Sequence, residues 1–177
     1  MPNASPLADS LERQWPSTSA DDELRLQWEF LSFLRVTVVN KIAGLATSQA
    51  AATPLPTSPF MSLTGVVKHL TAVERFWMSI VGGGSDLPSL WEADDVNADW
   101  QLNESDTPSG IVAAYRAEWC RSEQALAGKT ADDRATRSVS GEEYTVRWLL
   151  SHVIQETARH AGHMDLLREM ADGARGE

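Results

Sequence analysis

Cysteine is almost absent from this chain: Cys120 stands alone among 177 residues. That excludes an internal disulfide and any cysteine-rich zinc site, and it suits a reducing cytoplasm. Positive charge is scarce, with 15 Lys and Arg against 25 Asp and Glu and a net charge of -10. Such a surface repels phosphate backbones and anionic headgroups, so neither nucleic acid nor a membrane is an expected partner. Long apolar runs are missing too. No stretch approaches the ~20 residues that span a bilayer, and the polar opening "MPNASPLADSLERQWPSTSADDE" has no apolar core of a signal peptide. There is no G-x-S-x-G elbow to mount a serine nucleophile, and "VGGGSD" at 81–86 lacks the lysine of a phosphate-binding loop.

What is present is helical periodicity. Residues 1–20, rich in Pro, Ser and Ala, read as a poorly ordered arm that Trp15 could pin, followed by one domain over 21–177. In "SADDELRLQWEFLSFLRVTVVNKIAGL", Leu24, Trp28, Leu31, Leu34, Val38 and Ile42 fall on one stripe. Ser19 or Asp21 is the expected cap, and Gly44 the stop. A Pro-punctuated loop leads to a second helix from about Ser62 to Val81, ended by three glycines. Its apolar side carries Val66, His69, Val73 and Phe76, beside Leu70 and Trp77. A long polar loop over 82–106 holds Trp91 and Trp100; it reads as packed onto the helices, with a pocket wall as the alternative. Asp106 or Thr107 caps the third helix, Pro108 fills its first turn, and Gly128 follows its last. Residues 129–144 read as a turn or short hairpin around "SVSGEEY", and the fourth helix as Thr145–Ala171 with Gly173 behind it. The fold class is therefore all-α, a four-helix bundle whose long loops permit crossover connections.

The fourth helix holds three of the four histidines, in "HVIQETARHAGHMDLLRE". At about 100° per residue, Glu156, His163 and His160 lie within about 80° of His152, on a face bordering the core. Residues four apart stack, so Glu156 and His160 can reach one ion. A third ligand must come from another helix, and His69 lies on the core side of the second. Two imidazoles and a carboxylate suit zinc, with nickel, iron and manganese as alternatives. The competing reading makes these histidines half-buried hydrogen-bonding groups. His152 and His163 are the weaker ligand candidates and fit an outer or structural role. Cys120, beside Trp119, reads as a buried inert thiol. Trp28, Trp77, Trp119 and Trp148 read as core, and Arg168 as placed to pair with Glu74 or Glu169.

The stretches "GVVKHLTAVERFW" and "RWLLSHVIQETARHAGHMDLLREMADG" together resemble the DinB-like superfamily, in a branch near the mycothiol-dependent maleylpyruvate isomerases. "DDELRLQWEFLSFLRVTVVNKIAGLAT" has the look of the family's first helix, so the resemblance covers about residues 21–173. It implies a crossover four-helix bundle with a divalent metal on its inner face. Many relatives use three histidines, two of them spaced H-x-x-x-H on the last helix. In the isomerases the first of that pair is glutamate. This chain matches the glutamate version with His69, Glu156 and His160, which leaves His163 outside the coordination sphere. The resemblance further implies a low-molecular-weight thiol such as mycothiol as co-substrate, an electrophile as second substrate, and a homodimer. The expected function is a cytoplasmic, metal-dependent thiol S-transferase serving detoxification. The alternative is a metal- or small-molecule-binding bundle, or structural dimer, without turnover. The resemblance does not reach the isomerases' additional C-terminal domain, so isomerase activity is not expected. Substrate contacts are expected from the 82–106 loop, the 129–144 segment or a partner subunit.

Overall fold

A computed structural model describes residues 10–91 and 94–175. Part of the N-terminal arm, residues 1–9, lies outside them, as do positions 92, 93, 176 and 177. Every regular element among the described residues is a helix, so the fold is all-α. Helix α1 spans Glu23–Asn40 and α2 is the short Thr47–Ala50. Helix α3, Leu63–Glu74, runs directly into a π-helical segment, Arg75–Gly82. Helices α4, Pro108–Ala125, and α5, Val146–Asp172, follow.

Local chemistry sets these boundaries. Asp22, rather than Ser19 or Asp21, caps α1 by accepting from the Arg25 N–H at 2.7 Å. Ser62, Thr107 and Thr145 accept in the same way from Gly65, Gly110 and Trp148, each satisfying a donor that the first turn leaves free. Gly173 ends α5 at φ +78°, in the left-handed region. The glycines after the π segment do more than stop it. A Cβ on Gly83 would lie 2.5 Å from that of Ala125 at the end of α4. One on Gly84, at φ +75°, would lie 2.5 Å from Thr136. The 129–144 segment docks there: Arg137 and Thr136 donate their backbone N–H groups to Val81 and Gly82. It then turns tightly. Val139 and Glu142 exchange both backbone hydrogen bonds across Ser140 and Gly141, both with positive φ. That is a two-residue hairpin turn, where the "SVSGEEY" stretch reads as a turn or short hairpin.

Helix α1 packs against α5, and α3 against α4 and α5. One apolar cluster gathers around Val38, Val66, Leu70, Tyr115 and Met164. The other gathers around Leu31, Val73, Met78, Leu149 and Leu150. Arg35 falls between Leu31 and Val38 on α1 and is only 1% exposed. Its guanidinium grips Glu74 with two hydrogen bonds and reaches Glu123 at 3.0 Å, between the Trp28 and Trp119 rings. Beside this pair, fully buried Glu118 accepts from Arg75 at 3.0 Å, Ser79 at 2.7 Å and Arg121 at 3.0 Å. Charges this deep persist only when paired and hydrogen-bonded.

Three sequence expectations are corrected. Cys120 is exposed, because it sits on the outward side of α4. Trp148 is 41% exposed, while Trp28, Trp77 and Trp119 are partly buried and pack against the two apolar clusters; indoles this large tend to lie at the core margin. Arg168 pairs with neither Glu74 nor Glu169. It donates to the Lys41 and Ala43 carbonyls beyond the end of α1 and to the Asp172 carboxylate.

Candidate metal centre

His69 projects from α3, and Glu156 and His160 from α5. One potential ligand atom from each lies within 4.8 Å of the others. Glu156 Oε2 stands 3.6 Å from His160 Nε2, which follows from their four-residue spacing on one helix. All three are largely withdrawn from solvent, with side-chain exposures of 13%, 16% and 8% for His69, Glu156 and His160.

The 82–106 loop completes the surroundings. Lys68, next to His69, anchors that loop by donating to the Gln101 carbonyl at 2.6 Å and the Asp106 carboxylate at 3.0 Å. Asp99, 3% exposed, then accepts from His69 Nδ1 at 2.6 Å. The same oxygen accepts from Trp91 Nε1 at 2.8 Å. With Nδ1 committed to the carboxylate, the lone pair of His69 resides on Nε2. This carboxylate–imidazole pairing is the one that orients metal-binding histidines. Trp100 stacks on the His69 ring at 4.0 Å with a 16° interplanar angle, and meets His160 edge-on at 5.3 Å. Its backbone fits because α3 carries glycine here: a Cβ on Gly65 would lie 3.0 Å from the Trp100 carbonyl oxygen.

His160 is held on its other side by His163, with the two Nδ1 atoms 3.3 Å apart. Burial, reinforced by His69, His163 and Arg159, lowers the His160 pKa to about 3. The ring is therefore neutral at neutral pH and keeps a lone pair for a ligand bond. Arg159 contacts Glu156 Oε1 at 3.3 Å from the exposed side. His152 stands one turn before Glu156. It stacks on Trp148 at 4.9 Å and meets Trp77 edge-on at 5.0 Å; burial lowers its pKa. Of the four histidines, the structure brings His69 and His160 together with Glu156, places His163 behind His160, and puts His152 in an aromatic cluster.

Sequence reasoning missed Asp99. An acidic residue directly before a loop tryptophan was the only signal. It also missed the π-helical segment, which carries Phe76 against Trp91 at 4.6 Å and Trp77 against His152. Such segments concentrate at functional sites.

A profile of the mycothiol S-transferase family matches residues 26–173. The chain belongs to the mycothiol S-transferase family. The match begins inside α1 and ends at Gly173, so it takes in His69, the 82–106 loop, Glu156 and His160. This is a DinB-like family, in agreement with the superfamily read from the motifs; the agreement does not extend to the particular branch. No curated protein matches the chain.

Proposed function

We propose that this member of the mycothiol S-transferase family is a metal-dependent enzyme that joins mycothiol, through its sulfur, to an electrophile, in a detoxifying role in the cytoplasm. Its four long helices form the crossover bundle of DinB-like proteins, with His69, Glu156 and His160 holding one divalent ion, zinc by preference. The observation that carries this reading is the convergence of these three ligand atoms within 4.8 Å, in a chain whose family is named for thiol transfer.

The residues fit such an ion on chemical grounds. Two imidazoles and one carboxylate form a donor set known for catalytic zinc, which leaves room for a further ligand. Asp99 fixes the His69 tautomer, and the neighbouring His163 fits the same role at His160 if the shared proton lies on His160 Nδ1. Both Nε2 atoms are then acceptors. When bound, a divalent ion supplies a positive charge that lowers the pKa of a coordinating thiol and makes it nucleophilic near neutral pH. The chain's own residues do the rest. Trp100 covers the His69 ring and keeps water from it, Trp91 holds Asp99 in register, and Lys68 ties down the loop that carries both.

The test is a transfer assay with mycothiol and monochlorobimane on protein purified without a histidine tag. The proposal expects a rate that depends on both thiol and metal and falls at least a hundredfold in His69→Ala. A rate equal to that of metal-free protein would favour a binding protein without turnover.

A further inference from the structure

A thiol transferase needs a seat for the electrophile, and the centre has two dissimilar flanks along α5. Towards the helix N-terminus lie His152 and Trp148, rings with polar edges. Towards the C-terminus the stripe continues past His163 into a groove of about 390 Å³ between α5 and the segment before α3. Its walls are Leu55, Met61, Leu166, Leu167 and Met170, with His163 at the inner end and Glu169 the one charged residue. Leu166 and Met170 are 65% and 59% exposed, an unusual outlay of apolar surface on a chain of net charge -10.

Resting on the thiol-transfer reading above, we infer that this groove is the electrophile site and that it selects neutral electrophiles carrying an apolar tail. Four observations support it. The groove adjoins the centre through one residue: His163 lines it and meets His160, ring centroids 5.2 Å apart. Its volume falls in the range of small-molecule sites. Its lining offers no free charge to an ionic substrate: Glu169 is its one charged residue, and that carboxylate is already paired with Arg175 at 2.9 Å. Two of its walls are methionines, whose unbranched thioethers adapt to varied shapes. A protein partner fits less well, since seven residues line the groove against about 20–30 a side in a stable interface. The tail lies along Leu166 and Met170, and the reactive carbon projects past His163 towards the three ligands. There the thiol sulfur, its proton released to water, forms the carbon–sulfur bond with its own electron pair. With an alkyl chloride, the carbon–chlorine bond breaks as this bond forms, and chloride leaves with the bonding pair.

The test uses 2-chloro-N-alkylacetamides from methyl to octyl, which share one reactive carbon and differ only in tail. In the wild type, kcat/KM should rise about two- to fourfold per methylene until the groove is filled. In Leu166→Asp and Met170→Asp, both at exposed positions that leave the core alone, the advantage of octyl over methyl should fall at least tenfold. A second reading needs no turnover: the unreactive N-octylacetamide should bind the wild type, by calorimetry, at least tenfold more tightly than Leu166→Asp. A chain without thiol transfer but with this binding pattern overturns the proposed function and keeps the groove as an apolar site. A flat chain-length profile with unaltered octylacetamide affinity in both variants overturns the inference. So does a wild-type dimer that Leu166→Asp converts to monomer without changing that affinity, since the face is then an interface between copies.

Discussion

Replacing Asp99 by asparagine keeps the shape of the side chain and removes its charge. In the wild type one Asp99 oxygen receives both His69 Nδ1–H, at 2.6 Å, and Trp91 Nε1–H, at 2.8 Å, in a setting only 3% exposed. An asparagine carbonyl placed there still accepts both bonds. It no longer sets a negative charge behind the His69 ring, and outer carboxylates of this kind are worth about ten- to a hundredfold in metal affinity, or about 1.4–2.8 kcal/mol. Alanine at the same position orphans two buried donors, each at a cost of about 1–3 kcal/mol, and frees the loop that carries Trp100. The two variants should therefore separate. Asp99→Asn lowers zinc affinity about ten- to a hundredfold, measured by competition with a chromophoric chelator, with little change in the urea midpoint of metal-free protein. Asp99→Ala lowers both, the stability by about 2 kcal/mol or more. Zinc affinity within twofold of wild type in Asp99→Asn would refute the role given to the carboxylate.

Other predictions concern the scaffold. Glu118→Ala strands Arg75 and Ser79 in the interior and should cost about 3 kcal/mol in urea unfolding; a loss under about 1 kcal/mol would show that the buried network is not holding the π-helical segment to α4. Arg168→Met removes the donor to the Lys41 and Ala43 carbonyls and should lower stability by about 1–3 kcal/mol while leaving zinc stoichiometry intact. Unchanged thermal stability would mean that the carbonyls find other partners. Gly84→Ala meets both a φ of +75° and a contact with Thr136 at 2.5 Å. It should cost about 1–3 kcal/mol, read as a drop in melting temperature, and wild-type melting would contradict the close docking of the 129–144 segment.

The legible parts of the sequence are those where side-chain period and short-range chemistry coincide. Ser62, Thr107, Thr145 and Gly173 mark helix ends with residues whose chemistry suits those positions, and the structure ends its helices there. Glu156 and His160 announce themselves by a four-residue step, and His69 by being polar on an apolar stripe. Trp100 stands out only as a loop tryptophan and Asp99 not at all, because the loop that carries them has no period and reaches α3 only through tertiary contacts. Arg35 was hidden for the opposite reason. It sits where the stripe of α1 faces inward, and its partners Glu74 and Glu123 are on other helices. The π-helical segment has no sequence signature in "RFWMSIVG"; its place is recognisable only from the aromatic contacts it aims. Cys120 shows the limit of reading burial from a neighbour, since Trp119 leans inward and the next residue along the helix points out.

The central claim is a metal held by His69, Glu156 and His160, and the most direct measurement is metal content per chain in untagged protein. Wild type should carry one equivalent of a divalent ion. His69→Ala, Glu156→Ala and His160→Ala should each fall below about a tenth of that while retaining helical circular dichroism, and His152→Ala should keep the full equivalent. A wild type without stoichiometric metal after supply of zinc, or a full equivalent in Glu156→Ala, would contradict the assignment.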